Sequence, residues 1–347
     1  MSRVLLGGII GLGRMGLTHY SILNCHPAVK FVSICDSSSL ILKNMEKYTG
    51  LAIFENYEEM YNNMKLDFII IATPTALHAG AVKSAIRKNI HIFVEKPLTL
   101  SVTEGREIVA MLSGTRLVNQ VGYVIRFNEI FSKVKKHLQD GLIGEFVSFK
   151  MEMYGPTVLK DSKTSWRSKK MEGGGCLHDF ASHGIDLINY LIGPPNRVSG
   201  SVLQSIHSAN VEDAAYSTLL YPNNCTGNLI VNWSDPSFRK PTYQMYILGQ
   251  YGKIIANLHG YKVYFKYDPP LKEFGRGWNT RYITDFASPV RFYVRGNEFT
   301  RQLDYFIDCI LKKSPGDICS FTDGLKTDEI IESIIRDSAE TGTSCVG

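Results

Sequence analysis

Lys96 is the residue whose setting first suggests chemistry. It lies in Glu95-Lys96-Pro97, directly after an apolar run at residues 92–94 that is typical of a strand buried on both faces of a parallel sheet. The carboxyl ends of such strands border the crevice in which open α/β sheets bind ligands. An ammonium group there can stabilise negative charge on a reacting oxygen. Taken alone, Lys96 is explained equally well as a solvated lysine at a strand end.

A second group of polar residues has helical spacing. Asp179 and His183 are four residues apart, and Asp186 follows three residues later, so on a helix all three are expected on one face. A carboxylate beside an imidazole fixes its tautomer and stabilises the protonated ring, which suits a general base. His178 lies about 140° around the helix from His183, so the two rings are not placed to share a metal ion. The simple alternative is a surface pair in which Asp and His only bond each other.

The amino-terminal segment contains a glycine motif in a setting that gives it a mechanism. Residues 3–10 are predicted as a strand, and Gly11, Gly13 and Gly16 follow it at the start of a predicted helix. The first glycine allows the bend, the second lets the backbone approach a pyrophosphate, and the third lets the helix pack on the sheet. The helix N-terminus then directs its N–H groups at the phosphates. The motif therefore predicts a dinucleotide site.

Asp36 indicates which dinucleotide is bound. It ends the second predicted strand, about twenty residues after the glycine motif, where a carboxylate can hydrogen-bond the 2′-hydroxyl of a ribose. The next three residues are serines, so no arginine is present there to bind a 2′-phosphate. Because the carboxylate also repels that phosphate, we predict NAD as the cofactor in preference to NADP. Lys43, farther along the next helix, would soften this preference.

The order of the predicted elements indicates two domains. Strands and helices alternate over residues 1–122, which predicts an α/β Rossmann domain with a doubly wound parallel sheet. Residues 123–347 contain runs of strands, which predicts an α+β domain with a large, mostly antiparallel, open-faced sheet for substrate binding and oligomerisation. In this part the predicted helices cover residues 129–139, 177–191, 297–312 and 323–340, and the predicted strands cover residues 146–154, 197–207, 214–221, 226–233, 243–248, 253–256 and 262–267. The uncovered sheet face predicts a homodimer or homotetramer that forms through it.

Composition excludes several classes of protein. The 347 residues carry a net charge of +5 without a long run of Lys or Arg, which argues against a nucleic-acid partner. The seven cysteines include no C-x-x-C pair, so neither a disulfide framework nor a structural zinc site is expected. The amino-terminal apolar stretch is too short to span a bilayer and lacks a signal-peptide cleavage pattern. We therefore expect a cytoplasmic protein with no metal site and no membrane partner.

Taken together, these motifs resemble the Gfo/Idh/MocA (glucose–fructose oxidoreductase / inositol dehydrogenase / MocA) family of nicotinamide-dependent oxidoreductases. The resemblance covers nearly the whole chain, and Glu95-Lys96-Pro97 combined with the Asp-x-x-x-His helix is specific to this family. The segments that carry it are residues 11–16, 72–74 with His78, 95–97, 121–123 with Arg126 and Phe127, Trp166 with Arg167, 173–175 with Asp179, His183 and Asp186, and 323–325 through 338–342.

The resemblance implies roles for individual residues. Lys96, Asp179 and His183 match the catalytic lysine and the Asp/His pair of the family, and a cis Lys96–Pro97 bond is expected. The expected cofactor contacts come from Gly11, Gly13, Arg14, Met15, Gly16, Asp36, Thr73, Pro74, His78, Glu95, Lys96 and Arg126. The expected substrate contacts come from Lys96, Tyr123, Trp166, Arg167, Asp179 and His183. The substrates of the family are mostly sugars, cyclitols and sugar derivatives, some of them nucleotide-linked.

We therefore predict an NAD-dependent oxidoreductase that transfers a hydride between nicotinamide and a secondary hydroxyl of a sugar, an inositol-like cyclitol or a nucleotide sugar. His183, oriented by Asp179, would take the hydroxyl proton while Lys96 stabilises the alkoxide. The reverse assignment, with Lys96 carrying the proton, stays open. Two other functions are an NAD-dependent glycoside hydrolase that oxidises its substrate transiently and a non-catalytic NAD-binding regulatory protein. The regulatory protein is expected to lack Lys96 or His183, and both are present.

Overall fold

The computed structural model describes residues 3–158 and 166–340. Contacts divide the chain into two compact units: Met1–Val124 with Pro289–Asp328, and Ile125–Ser288 with Glu329–Gly347. The first break is close to the predicted boundary after residue 122, but the first unit also contains residues 289–328, which were predicted in the second domain. Thr341 and Gly342 of the predicted tail motif lie outside the described residues.

The first unit contains a six-stranded sheet whose neighbouring strands are all parallel. Its strands are β1 (Leu5–Ile10), β2 (Val29–Cys35), β3 (Ala52–Phe54), β4 (Phe68–Ile71), β5 (His91–Val94) and β6 (Asn119–Val121). Their order, β3-β2-β1-β4-β5-β6, is that of a doubly wound sheet and confirms the predicted Rossmann fold. The short strand β3 was not predicted.

Helices connect these strands and supply the apolar faces that cover the sheet. They are α1 (Arg14–Asn24), α2 (Ser39–Thr49), α3 (Tyr57–Asn63), α4 (His78–Arg87) and α5 (Val102–Leu112). Packing on the central strands is close, because Gly7 in β1 leaves room for the ring of Phe68 in β4. A Cβ atom at Gly7 would lie 2.2 Å from that ring, so the central strands cannot exchange small residues for large ones without loss of packing.

Residues 289–328 belong to the first unit because their helix completes its core. This helix is α8 (Asn297–Lys312), and its bounds are those predicted. Two helices precede it in the second unit, α6 (Glu129–Gln139) and α7 (Ser182–Leu191). Phe306 is fully buried, with its ring 6.0 Å from that of Phe68 and 5.9 Å from that of Phe93. The predicted domain assignment of this segment therefore differs from the packing, since an apolar helix face does not reveal which core it covers.

The second unit contains an eight-stranded, mostly antiparallel sheet, which confirms the predicted α+β class. Its strands are β7 (Phe146–Tyr154), β8 (Arg197–Gln204), β9 (Ala214–Leu220), β10 (Thr226–Asn232), β11 (Thr242–Gly249), β12 (Gly252–Ala256), β13 (Gly260–Phe265) and β14 (Gly277–Tyr282). The order is β14-β13-β12-β11-β7-β10-β9-β8, and the β7–β10 pair is the parallel one. β14 was not predicted. The last helix, α9 (Phe321–Glu340), begins in the first unit and ends in the second.

Helix α7 packs on the face of this sheet that carries the buried side chains of β7. A Cβ atom at Gly184 would lie 2.3 Å from the sulfur of Met153, so the glycine is what lets the helix approach the strand. On the other face, Leu248, Tyr264 and Trp278 are 42%, 37% and 54% exposed. No helix within residues 3–158 and 166–340 is both long and apolar enough to cross a membrane.

The role of α8 is testable by truncating its central ring. Phe306→Ala should lower the free energy of unfolding by about 3–5 kcal/mol, because it leaves a cavity beside two aromatic rings of the sheet. Urea unfolding followed by circular dichroism measures this. Lys312→Ala, in the exposed last turn of the same helix, should change stability by no more than about 0.5 kcal/mol. Equal, small effects of the two variants would contradict the packing described.

Candidate active site

The glycine turn between β1 and α1 forms the part of the first unit that is suited to phosphates. Gly11 has a φ of +86°, and its N–H bonds the carbonyl of Cys35 at 2.8 Å. A Cβ atom at Gly16 would lie 1.8 Å from the carbonyl oxygen of Gly11, whereas one at Gly13 would have no neighbour within 4 Å. Gly16 thus closes the turn, and Gly13 leaves open space in front of its backbone. Arg14 and Met15 begin the helix beside this space.

Asp36 and Thr73 lie at the ends of the strands on either side of the turn. The Asp36 carboxylate accepts the N–H of Leu12 at 2.6 Å and that of Ser38 at 2.8 Å. The hydroxyl oxygen of Thr73 is buried, and no partner for it exists among the described residues. A buried orphan hydroxyl, an open glycine and an oriented carboxylate fit a dinucleotide, whose pyrophosphate and ribose would supply the missing partners. Pro74, next to Thr73, is exposed.

Lys96 follows β5 in a turn that buried residues hold in place. The Lys96–Pro97 bond is cis. The carboxylate of Glu95 accepts the Lys96 N–H at 3.2 Å and contacts Nε2 of His19 at 2.6 Å. His19 is fully buried in α1, so it ties the helix of the glycine turn to the lysine turn. Sequence reasoning did not find His19, whose position in an amphipathic helix carries no distinguishing pattern.

His78, predicted to contact the cofactor, lies fully buried at the start of α4. Its Nδ1 is 3.0 Å from the carbonyl oxygen of Pro97 and its Nε2 is 3.1 Å from that of Thr73. Burial lowers the pKa of this ring. Its two nitrogens are thus engaged by main chain from two loops, which gives it a positioning role between Thr73 and the lysine turn.

Two other predicted residues are also buried. Tyr123, predicted to contact substrate, is inaccessible to solvent. Arg126, predicted to contact the cofactor, belongs to the second unit, where its guanidinium binds the carboxylate of Asp186 at 2.8 and 2.7 Å. The ring of Tyr190 lies 5.2 Å below the guanidinium. Asp186 therefore forms a buried ion pair with Arg126, a partner that the helical spacing did not predict.

The backbone that carries Asp179 departs from a regular α-helix. Residues Leu177–Ala181 form a π-helical turn before α7 begins, and such a turn changes which residues share a face. Asp179 lies inside the wide turn, where its carboxylate accepts Nε–H of Arg167 at 2.7 Å. The guanidinium of Arg167 also lies 4.8 Å from the ring of Trp166. The structure thus brings together Trp166, Arg167 and Asp179.

Glycines and a buried acid fix the start of this turn. A Cβ atom at Gly174 would lie 2.4 Å from the carbonyl oxygen of Arg167, and one at Gly175 would lie 2.3 Å from the Glu212 carboxylate. Glu212 in turn accepts the N–H of Leu177 at 2.9 Å, and burial raises the pKa of its carboxyl group. Any larger residue at 174 or 175 would therefore clash with the Arg167 carbonyl or with the Glu212 carboxylate. Glu212 was not predicted, because its role depends on a contact distant in sequence.

His183 lies on the first turn of α7, half-buried and edge-on to an aromatic ring of β11. The centroids of the His183 and Tyr243 rings are 6.3 Å apart, with an interplanar angle of 88°. Phe180 contacts Tyr243 from the π-helical turn at 5.7 Å. Tyr243 thus contacts both the predicted base, His183, and the π-helical turn that carries Asp179. Within the described part of the chain, no group of three His, Cys, Asp or Glu side chains is arranged to hold a metal ion.

Family models match both units of the chain. Residues 5–123 match the "Oxidoreductase family, NAD-binding Rossmann fold", and residues 131–255 match the "GFO/IDH/MocA C-terminal domain". Among solved structures, levoglucosan dehydrogenase in complex with NADH and levoglucosan has the same fold, with a TM-score of 0.85, 22% sequence identity, and coverage of 97% of this chain and 98% of that one.

Two inositol dehydrogenases are among the relatives. The chain is 29% identical to scyllo-inositol 2-dehydrogenase (NAD(+)) of Bacillus subtilis over 53% of each sequence, so it spans about half the length of that relative. It is 25% identical to inositol 2-dehydrogenase of Rhizobium meliloti over 84% of this chain and 88% of that enzyme. Since the matched models cover both units, the chain belongs to the Gfo/Idh/MocA family of oxidoreductases, and its first unit is an NAD-binding Rossmann domain.

Proposed function

We propose that this protein is an NAD-dependent dehydrogenase or reductase that acts on a secondary hydroxyl of a sugar, a cyclitol or a nucleotide sugar. The observation that carries the proposal is the pair Asp179 and His183 around one buried turn, in a chain whose first unit binds NAD. The names of the relatives support the substrate class, since they include dehydrogenases of inositol and of levoglucosan.

The first unit would hold the cofactor through main chain and a few side chains. The open backbone at Gly13 and the first turn of α1, with Arg14 and Met15, would bind the pyrophosphate. Asp36 would bind the adenosine ribose, and the orphan hydroxyl of Thr73 would gain a partner. When bound, nicotinamide supplies the hydride chemistry.

Lys96 would hold the substrate oxygen as charge develops on it. An ammonium group at a fixed position lowers the energy of an alkoxide without reorganising in the transition state. Glu95, His19 and His78 would keep the lysine turn in place, because each is bound to it or to its neighbours by hydrogen bonds that are buried or partly buried.

His183 would take the proton of the substrate hydroxyl during oxidation and return it during reduction. Asp179 would supply negative charge near the imidazolium, and Arg167 would fix the orientation of that carboxylate at 2.7 Å. Trp166 stacks on Arg167 and would extend the substrate surface. If Lys96 is the base instead, the acidic limb of the pH profile should depend on Lys96 and not on His183.

A panel of inositols, pyranose sugars and nucleotide sugars assayed for NADH formation tests the proposal. Net NADH formation with one class supports a dehydrogenase. A glycoside hydrolase would release a sugar from a glycoside without net NADH, and a regulatory protein would bind NAD without any turnover. Either of those results would replace the proposal.

The cofactor preference is a first prediction of this proposal. NAD+ should bind at least about 10-fold more tightly than NADP+, because the Asp36 carboxylate repels a 2′-phosphate. Asp36→Asn should bring the two affinities, for NAD+ and for NADP+, closer together, since the amide oxygen still accepts an N–H but carries no charge. Fluorescence titration of both nucleotides measures the ratio. Asp67→Asn, which also alters a carboxylate bonded to main chain, should leave it unchanged; a wild-type preference for NADP+ would contradict the assignment.

The roles of His183 and Lys96 can be separated by pH. With His183 as the base, oxidation should slow as pH falls, and His183→Asn should remove that acidic limb. Lys96→Met should keep the limb while kcat falls by about 100-fold or more and NAD affinity stays the same.

Lys88→Met and His178→Asn serve as controls, because Lys88 is an exposed residue of the first unit and His178 lies on the same turn as Asp179. Both should retain the wild-type profile. An acidic limb that persists in His183→Asn and disappears in Lys96→Met would assign the proton to the lysine instead.

We also propose that the protein is a homodimer or homotetramer through the open face of the second-unit sheet. Leu248, Tyr264 and Trp278 expose apolar surface on that face, and the rings of Tyr264 and Trp278 contact each other at 5.4 Å. Such a patch is typical of a surface covered by a partner. Sedimentation velocity should show an oligomer that Trp278→Asp weakens; a monomer at all concentrations would contradict this.

A further inference from the structure

The first turns of α9 lie against the chain that follows the lysine turn. A Cβ atom at Gly324 would lie 3.1 Å from Cβ of Leu98 and 2.8 Å from Cγ2 of Val121. Leu98 and Val121 are both fully buried. Any side chain at position 324 would therefore push the helix away from these residues. This contact gives a physical reason for the glycine of the tail motif at residues 323–325, which has no part in the site described above.

Asp328 lies one helical turn after Gly324 and binds Thr99. The N–H of Thr99 donates to Oδ2 of Asp328 at 3.0 Å, and the Thr99 hydroxyl lies 3.3 Å from the same oxygen. Both residues are buried, with exposed fractions of 2% for Thr99 and 5% for Asp328. A hydrogen bond that a carboxylate accepts is stronger than one between neutral groups. The helix therefore holds the main chain at Thr99 by a buried bond, in addition to the packing at Gly324.

The main chain around Lys96 is thus anchored at three points. His19 contacts the residue before Lys96, and His78 contacts the carbonyl of the residue after it. Asp328 holds the chain three residues after Lys96. The three anchors come from α1, α4 and α9, so residues far apart in the sequence together define where the lysine turn lies.

We propose that Asp328 is a positioning residue for the reaction, because it holds the lysine turn where the ammonium group of Lys96 meets the reacting oxygen. The inference rests on the proposed function of Lys96. A misplacement of about 1 Å in such a group can lower a rate by about 100-fold. Since Asp328 acts through the main chain, its removal should affect turnover rather than the binding of NAD. What the turn needs from position 328 is an acceptor for the Thr99 N–H, which an amide oxygen also supplies.

Substitution of Asp328 tests the inference by its effect on kcat, measured with the compound of the panel above that the wild-type protein oxidises fastest. In Asp328→Ala, kcat should fall about 10- to 100-fold per mole of protein that binds NAD+, while KM and the affinity for NAD+ change little. Asp328→Asn should restore most of the wild-type kcat, because its amide oxygen still accepts the Thr99 N–H. The acidic limb of the pH profile should stay in place in both variants.

Gly324→Ala disturbs the same contact without the loss of a hydrogen bond, so it should also lower kcat more than the affinity for NAD+. Glu332→Ala is the matched control, since Glu332 is an exposed acid one turn after Asp328 on the same helix. It should leave kcat unchanged.

Hydrogen–deuterium exchange followed by mass spectrometry tests the anchor without a substrate. Peptides that contain Thr99 should exchange at least about 10-fold faster in Asp328→Ala, because the amide loses a charged acceptor, and peptides from β1 should exchange as in wild type.

Unchanged exchange at Thr99 would overturn the inference. Faster exchange with a wild-type kcat would overturn it as well, because the contact would then serve stability alone, and so would an equal fall of kcat in Asp328→Asn and Asp328→Ala. If the wild-type protein oxidises no compound of the panel, the proposed function fails, whereas faster exchange in Asp328→Ala would still support the anchor.

Discussion

The contact between His19 and Glu95 is the interaction on which the arrangement of the first unit depends. It joins the helix that follows the glycine turn to the strand end that carries Lys96. A second histidine, His78, joins the Thr73 loop to Pro97 in the same way. Three neighbouring strand ends are thus held together by two buried rings, so the residues that would meet a cofactor need not stabilise one another. Removal of either ring would leave buried polar groups without partners, which costs more than the bond itself contributes.

In the second unit, close packing at glycines and the buried carboxylate of Glu212 hold the site residues in place. Glycines at 174 and 175 admit the Arg167 carbonyl and the Glu212 carboxylate against the start of the π-helical turn. Gly184 brings α7 down onto Met153. Between these two fixed points lie Asp179, in the wide turn, and His183, in the first turn of α7. Polar residues that must be accessible are in this way carried by a segment whose two ends are immobilised.

Sequence reasoning identified the features that depend on local rules. The glycine turn, the carboxylate at the end of β2 and the lysine after β5 each follow from a spacing and a strand pattern, and every strand of the Rossmann sheet except β3 lies where those patterns put it. The roles of His19 and Glu212 depend on contacts between residues far apart in the chain, which no local pattern reports. The Arg126 partner of Asp186 was not predicted, because it lies 60 residues away in the chain, and the π-helical turn that carries Asp179 departs from the regular α-helix that the spacing assumed.

The discontinuity of the first unit has a consequence for synthesis of the protein. The chain emerges from the ribosome amino terminus first, and its first 124 residues include every strand of the parallel sheet but not α8. Phe68 and Phe93 therefore lack the ring of Phe306 until about two hundred further residues have been made. During that interval the nascent sheet has an uncovered apolar surface. A chaperone that shields it, or fast translation of the intervening unit, would determine how much of the newly made protein reaches the native state.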